Sequence, residues 1–119
     1  MGTINCKVKI RGLKASDEFE ALLDTGSTYS HLDKNIADKV GAMMTGYNVK
    51  SKIANGTMVE EPLAVAFATL DGCDRPILAT VTEKGAAPVI IGAQAMQLMG
   101  ISLDPEHESY LVRCPITKA

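Results

Sequence analysis

Apolar and polar residues alternate along much of the chain, which is the pattern of β-strands that bury one face. At residues 4–10 the even positions carry Ile, Cys, Val and Ile, whereas the odd positions carry Asn, Lys and Lys. Comparable extended stretches, separated by turn-forming residues, occur at residues 18–23, 28–32, 49–53, 63–70, 76–81, 89–91, 101–103 and 110–112. About seven to nine short strands with frequent turns predict an all-β domain with a closed, barrel-like sheet.

A helical period interrupts this alternation at two places. The first predicted helix covers Asp33–Val40, with Asp33 as the side-chain cap of its first amides and Gly41 as its end. A polar loop with chance spacing is the open alternative for so short a piece. The second predicted helix, Ala93–Met99, consists mainly of strong helix formers, and we expect its methionines to fill core space.

Two glycine-containing dipeptides mark hairpin turns. Asn55-Gly56 predicts a two-residue turn, because both residues tolerate the positive φ that such a turn requires. Asp71-Gly72 predicts a second turn farther along the chain. Between them, Pro62 has no amide hydrogen to donate, so we expect it at the start of a strand or at a sheet edge.

Length and composition indicate one globular domain over residues 1–119. The net charge is −2, and the aromatic residues are three Tyr and two Phe with no Trp. Without a basic cluster, no nucleic-acid partner is expected. The apolar runs are shorter than a membrane span and no charged-then-apolar leader opens the chain, so no membrane partner is expected either.

The three cysteines, Cys6, Cys73 and Cys114, are widely spaced and form no Cys-x-x-Cys pair. An odd count without a leader predicts reduced thiols and a cytoplasmic location. A nucleophilic pair of a cysteine with His31 or His107 is a remote alternative, since scattered residues of these types occur in many chains. No metal-ligand spacing is present in the sequence, and we expect no metal and no cofactor.

A carboxylate directly follows the second predicted strand. That strand ends in Ala-Leu-Leu at residues 21–23, and Asp-Thr-Gly-Ser then forms a tight turn at residues 24–27. A charge in this position is costly to bury, which favours a functional carboxylate over an ordinary turn. The ordinary turn stays an alternative, because Asp, Gly and Ser are common turn formers. A later stretch, Ile-Ile-Gly at residues 90–92, leads into the second helix and favours the functional interpretation.

Together these two motifs resemble those of the retroviral-type aspartic proteases, the retropepsins, over about residues 22–103. The resemblance implies a single-lobe acid-protease barrel. Acid–base hydrolysis of an amide needs two carboxyl groups, and this chain has one Asp-Thr-Gly. The resemblance therefore implies a homodimeric aspartic endopeptidase, in which Asp24 of each subunit forms a dyad that activates water to cleave a peptide or protein substrate.

The same resemblance assigns roles to the neighbouring residues. Thr25 would hydrogen-bond across the dyad to the partner, and Gly26 would let the backbone approach the carboxylates and the substrate closely. Ser27 would donate its hydroxyl to Asp24 and favour the charged form of that carboxyl group. Structural support behind the turn is expected from a short apolar stretch, Ile90, Ile91 and Gly92.

The hairpin between the two motifs lies where this family has its flap, the lid over a bound peptide. Six residues form the predicted tip, namely Ile53, Ala54, Asn55, Gly56, Thr57 and Met58. From the residues alone a plain surface hairpin is the simpler interpretation. Its place between the motifs favours a substrate-binding flap.

Two positions depart from the retroviral pattern. Thr28 stands where an Asp is common, and Ala93 stands where an Arg is common. Because these positions lack the usual ion pairs, we expect terminal strands such as residues 110–116 to hold the dimer. The alternative function is a catalytically silent dimerisation or peptide-binding module with the same fold. The intact Asp-Thr-Gly-Ser favours activity, because a silent descendant has no physical reason to keep a buried acidic pair.

Overall fold

The computed structural model describes residues 3–52, 55–83 and 85–117, which contain nine strands and two α-helices. The strands are β1 (Thr3–Arg11), β2 (Ser16–Asp24), β3 (Ser30–Asp33), β4 (Met43–Lys52), β5 (Met58–Leu70), β6 (Cys73–Thr82), β7 (Val89–Ile91), β8 (Ile101–Asp104) and β9 (Ser109–Val112). The helices are α1 (Lys34–Val40) and α2 (Ala93–Met99). Every predicted strand and helix is present, although several strands are longer than predicted.

Six of the strands close into a barrel. The order in the main sheet is β1-β2-β7-β3-β6-β5-β4, and β1 also pairs with β5, so that the ring closes. Strand β4 lies outside this ring on β5, and β8 and β9 form a separate two-stranded sheet. The predicted all-β, closed barrel-like fold with two short helices is therefore confirmed.

The barrel interior is filled by the inward-pointing residues of alternating strands. On β1 the residues at positions 4, 6, 8 and 10 are buried and their neighbours are exposed. On β5 the inward residues Ala64, Ala66 and Ala68 are small and fully buried, which leaves room for larger side chains from the facing strands. Helix α2 packs Met96 and Met99 into this core, as predicted.

Part of the β4–β5 hairpin extends beyond the barrel, and we call this part the arm (residues 48–52 and 58–62). Strand β5 pairs with β6 from Leu63 onward, whereas its residues 58–62 pair, among the described strands, with β4 alone. Pro62 lies in the arm, where its missing amide hydrogen removes no bond to β6. Its predicted position at a sheet edge agrees with this arrangement.

The predicted two-residue turn at Asn55-Gly56 is wrong. The last strand pair before the tip joins Lys52 to Met58, so the connection has five residues. Gly56 has a φ of 87°. The Asn55 side chain instead accepts a hydrogen bond of 2.8 Å from the Thr57 amide, which stabilises a local turn of its own.

The hairpin geometry expected at Asn-Gly occurs at the other predicted turn. Leu70 pairs with Cys73, which leaves Asp71 and Gly72 as the two turn residues. Their φ angles are 50° and 79°, both positive, as the turns that match the twist of the strands demand. A tight turn therefore connects β5 to β6.

Helix α1 begins and ends as predicted, but its cap is different. Asp33 stands at the N-cap position without a capping hydrogen bond from its side chain, because its carboxylate binds elsewhere. Gly41 ends the helix in the left-handed conformation, with a φ of 73°. No helix in residues 3–52, 55–83 and 85–117 is long and apolar enough to cross a membrane.

Cys73 and Cys114 form a disulfide, with a Cα–Cα distance of 5.4 Å, that joins the start of β6 to the segment after β9. The predicted reduced state is therefore wrong for these two residues, because folding brings together positions 41 residues apart. Cys6 is free, and its burial, reinforced by the charges of Glu20 and Asp71, raises the pKa of the thiol to about 11. A protonated thiol is a poor nucleophile, which removes the main support for a Cys–His pair. The cytoplasmic location stays a prediction.

Candidate active site

The carboxylate of Asp24 lies at the end of β2, on the sheet face away from the barrel interior. Leu23 before it is fully buried, so strand alternation directs the half-buried Asp24 to the other face. Its Oδ1 accepts a hydrogen bond of 2.9 Å from the Gly26 amide, and its carbonyl oxygen accepts one of 3.3 Å from the Ser27 amide. The turn thus holds the carboxylate with its own backbone, and leaves Thr25 and Gly26 exposed.

The predicted hydrogen bond from Ser27 to Asp24 is not formed. The Ser27 Oγ donates instead to the carbonyl oxygen of Tyr29, at 2.8 Å. A serine hydroxyl in a turn has backbone carbonyl groups within easy reach, and here the local acceptor is the one that it binds. Ser27 therefore stabilises the shape of the turn rather than the charge of the carboxylate.

Helix α2 and the residue before it support the turn from behind. The Ala93 amide donates to the Ser27 carbonyl at 2.6 Å, and the Gln94 amide donates to the Thr28 carbonyl at 3.1 Å. A Cβ atom on Gly92 would lie only 2.3 Å from the Tyr29 carbonyl oxygen, so the close approach of the two backbones requires glycine. The structure places the Ile-Ile-Gly stretch directly against the Asp-Thr-Gly turn.

A groove with a volume of about 640 Å³ opens beside this turn. One end of the groove is the turn itself, through residues 26–29. Residues 49–52 and Glu61 of the arm form one wall. A second wall is formed by the outward face of three adjacent strands, β7, β3 and β6. It contains Ile90, His31, Thr80 and Thr82, and we call this wall the floor.

The floor is polar because polar and apolar residues alternate on β3 and β6. His31 lies beside Thr80 in the parallel register of these strands, and Asp33 lies beside Thr82. Between them, Leu32 and Val81 are buried in the barrel. Paired residues of neighbouring strands project to the same face, so all four polar side chains share the face opposite the core.

A buried hydrogen-bonded cluster orders the floor. His31 Nε2 lies 2.9 Å from Asp33 Oδ1, and the Gly85 amide donates to the same oxygen at 3.0 Å. A Cβ atom on Gly85 would lie 2.5 Å from His31 Nε2, so the loop before β7 packs closely against this edge of the His31 imidazole. No group of three or more His, Cys, Asp or Glu in the described ranges could hold a metal ion.

Comparison with known families decides where this site belongs. A family model described as "gag-polyprotein putative aspartyl protease" matches residues 7–98. The chain belongs to this family. The matched range includes the Asp-Thr-Gly-Ser turn, the floor and the arm, and it ends within α2. A comparison with curated protein sequences finds no match.

Solved structures with the same fold agree with the family. The retroviral protease-like domain of Ddi1 from Leishmania major matches with a TM-score of 0.64 and 17% identity, over 95% of this chain and 90% of that one. EIAV protease in complex with the inhibitor HBY-793 matches with a TM-score of 0.62 and 18% identity, over 83% and 89% of the two chains. A Legionella pneumophila protein of unknown function matches with a TM-score of 0.56 and 16% identity, over 84% and 90%. At these identities the likeness shows a retroviral protease-like fold.

The predicted flap corresponds to the tip of the arm in this member of the aspartyl protease family. Its first two residues, Ile53 and Ala54, lie outside the described residues. The remaining four, residues 55–58, are all exposed, and Met58 retains 58% of its accessible surface. The arm residues before the tip line the groove, so the tip lies at the margin of the groove rather than on a remote surface.

Sequence reasoning missed the polar floor. Position 31 was considered only as a partner for a cysteine, whereas its imidazole binds Asp33. The alternation of His31, Leu32 and Asp33 at the end of a short strand was the available signal, since it places both polar residues on one face. Gly85 and Thr82 had no local signal, because a register between distant strands brings them there.

Proposed function

We propose that this protein is an aspartic endopeptidase, active as a homodimer, that hydrolyses peptide bonds with one Asp24 from each subunit. The observation that carries the proposal is the position of Asp24, whose half-buried carboxylate lies on the outward face of β2, two residues before the segment 26–29 that lines the groove. Membership of the aspartyl protease family supports the same chemistry.

Two Asp24 carboxyl groups that share one proton supply both catalytic functions. The ionised carboxylate takes a proton from a water molecule, whose oxygen then attacks the carbonyl carbon of the peptide. The protonated carboxyl group gives its proton to the carbonyl oxygen, and a tetrahedral diol forms. The diol collapses when the dyad gives this one proton to the amide nitrogen and takes a proton from one hydroxyl of the diol, so the C–N bond breaks, a carboxylic acid and an amine leave, and the dyad again shares one proton.

A second subunit is needed because the chain has one Asp-Thr-Gly. Thr25 and Gly26 are exposed in the single chain, and a two-fold contact centred on the turn would cover them. In that contact Thr25 bonds to the partner turn, and Gly26 allows the two carboxylates to approach. The exposed apolar residues Leu111 and Ile116 near the C-terminus, 54% and 91% accessible, provide further surface for the interface.

The groove accepts the substrate as an extended peptide between the floor and the arm. Its volume of about 640 Å³ falls within the range of ligand sites in proteins. Among the described strands the two segments of the arm pair only with each other, so the tip of the arm acts as the flap that closes over the peptide.

The test is cleavage of a mixed peptide library by the purified protein at acidic to neutral pH, analysed by mass spectrometry. We expect discrete cleavage products, and a loss of about 10³-fold or more in kcat/KM for Asp24→Asn. Asp38→Asn is the matched control, because Asp38 is exposed on α1 and contacts Lys34. Specific activity should also follow the dimer fraction measured by sedimentation.

Two outcomes would contradict the proposal. Equal cleavage by the Asp24→Asn protein would show that Asp24 is not catalytic. Full activity in a protein that sediments as a monomer would show that no dyad is shared between subunits. Binding of peptides without cleavage by the parent protein would support a silent peptide-binding module instead.

A further inference from the structure

The floor of the groove contains a hydroxyl group that the protein itself leaves unsatisfied. Among the described residues, Thr82 Oγ1 is the one buried side-chain oxygen or nitrogen without a hydrogen-bond partner. Leaving such a group unpaired in the interior costs free energy, so natural proteins rarely keep one without a reason. Thr82 is also one of the residues that line the groove.

His31 offers a second hydrogen-bonding atom on the same floor. An ionised carboxylate only accepts hydrogen bonds, so the contact with Asp33 Oδ1 assigns the proton of the neutral ring to His31 Nε2. Nδ1 is then an acceptor, and it has no hydrogen-bond partner among the described residues. Thr80 lies between His31 and Thr82 on this face, and its Oγ1 bonds at 3.4 Å to the Ser30 carbonyl within the protein.

A hydroxyl that can donate and a ring nitrogen that can accept match the two ends of a carboxamide. The amide oxygen accepts from Thr82 Oγ1, and the amide NH₂ donates to His31 Nδ1. A carboxylate would lack the donor and would face the acidic residue Glu61, which lines the same groove. An aliphatic side chain would satisfy neither polar atom.

We infer that the floor is a specificity pocket for an Asn or Gln side chain of the peptide substrate, with Thr82 and His31 as the residues that recognise the carboxamide. The inference rests on the proposed peptidase function and names the substrate class of the same groove. It assigns a partner to the Thr82 hydroxyl, which has none among the described residues.

The test uses paired peptides that carry Asn or Leu at the same position, since these side chains have nearly the same shape. At one position flanking the cleaved bond, we expect kcat/KM to be at least about 10-fold higher for Asn, because Leu leaves buried polar groups unpaired. Thr82→Val keeps the side-chain shape and removes the hydroxyl, so the Asn:Leu ratio should fall to about threefold or less. Thr82→Ser keeps the hydroxyl and should restore the preference. Thr69→Val, on the outer face of β5 and outside the groove lining, is the control and should keep the parent ratio.

The binding of the same peptides to the Asp24→Asn protein, measured by calorimetry, separates this inference from the proposed activity. A preference for Asn in binding that disappears in the Asp24→Asn, Thr82→Val double variant would support the pocket even if no peptide is cleaved. Equal binding and equal kcat/KM for Asn and Leu at every position would overturn it. An Asn preference that survives Thr82→Val would overturn it as well.

Discussion

The two walls of the groove are built in opposite ways. The floor belongs to the closed barrel, and its His31 and Thr80 are only 8% and 9% exposed. The arm is a ladder of two strands, and its outward residues, such as Met58, are largely exposed. Because local opening costs least where few groups are buried, the floor is the fixed template of the groove and the arm is its adjustable wall.

The hydrogen bonds follow the same division. On the floor, Asp33 Oδ1 lies 2.9 Å from His31 Nε2 on the same strand and accepts a bond of 3.0 Å from the Gly85 amide, 52 residues away in sequence. In the arm, the side-chain contact between Asn48 and Glu60 is exposed and long, at 3.4 Å. A Thr45 hydroxyl bond of 2.8 Å to the Leu63 carbonyl secures the base of the arm where it leaves the barrel. Motion of the arm is therefore expected beyond this base.

The largest difference in stability between the barrel side of the groove and the arm should appear in glycine substitutions. Gly92→Ala would place a Cβ atom 2.3 Å from the Tyr29 carbonyl oxygen behind the Asp-Thr-Gly-Ser turn, so the free energy of unfolding should fall by about 3 kcal/mol. Gly56→Ala at the arm tip meets no atom within 4 Å and should cost only about 1 kcal/mol, from its φ of 87°. Urea unfolding of both variants measures the difference. Equal losses would contradict the difference in rigidity between the support behind the turn and the arm tip.

A smaller effect is expected from removing a carboxylate on each wall. Asp33→Ala leaves His31 Nε2 and the Gly85 amide without their acceptor, which should cost about 1–3 kcal/mol of unfolding free energy. Glu60→Ala in the arm removes an exposed contact and should cost less than about 0.5 kcal/mol. Thermal denaturation of the two variants checks the order. A Glu60→Ala loss as large as that of Asp33→Ala would contradict the expected difference in stability between the arm and the floor.

The smallest expected effect is the pH dependence of stability that arises from Cys6, which lies in the barrel interior on β1, next to β2. Burial raises the pKa of the Cys6 thiol from 9.0 to about 11, so between these values the unfolded chain loses a proton that the folded protein keeps. Stability should therefore decrease as pH rises from 9 to 11, by on the order of 1 kcal/mol from this group. Unfolding at several pH values should show a shallower decrease for Cys6→Ala, which has no thiol. Identical slopes would mean that the thiol is more accessible than its burial indicates.

Much of the architecture could be predicted because it depends on local pattern. Period-two alternation locates strands such as β1 and β6, since each inward residue must be apolar whatever its partner strand. The Asp-Thr-Gly-Ser turn and the Ile-Ile-Gly stretch were likewise visible as short motifs. The choice between Asn55-Gly56 and Asp71-Gly72 as the tight hairpin was not visible, because both dipeptides suit it and only the strand register distinguishes them.

The sequence by itself determined the all-β class, the two short helices and the Asp-Thr-Gly-Ser turn, because alternation, helix termination and turn chemistry act over a few neighbouring residues. Only the tertiary structure decided which distant groups meet. It paired Cys73 with Cys114, directed the hydrogen bond of the Ser27 hydroxyl to the Tyr29 carbonyl oxygen, and brought the Gly85 amide to the carboxylate of Asp33. The disulfide and the Gly85 contact depend on strand register and loop approach over tens of residues, and within the described part of the chain the same register leaves the Thr82 hydroxyl of the floor without a partner.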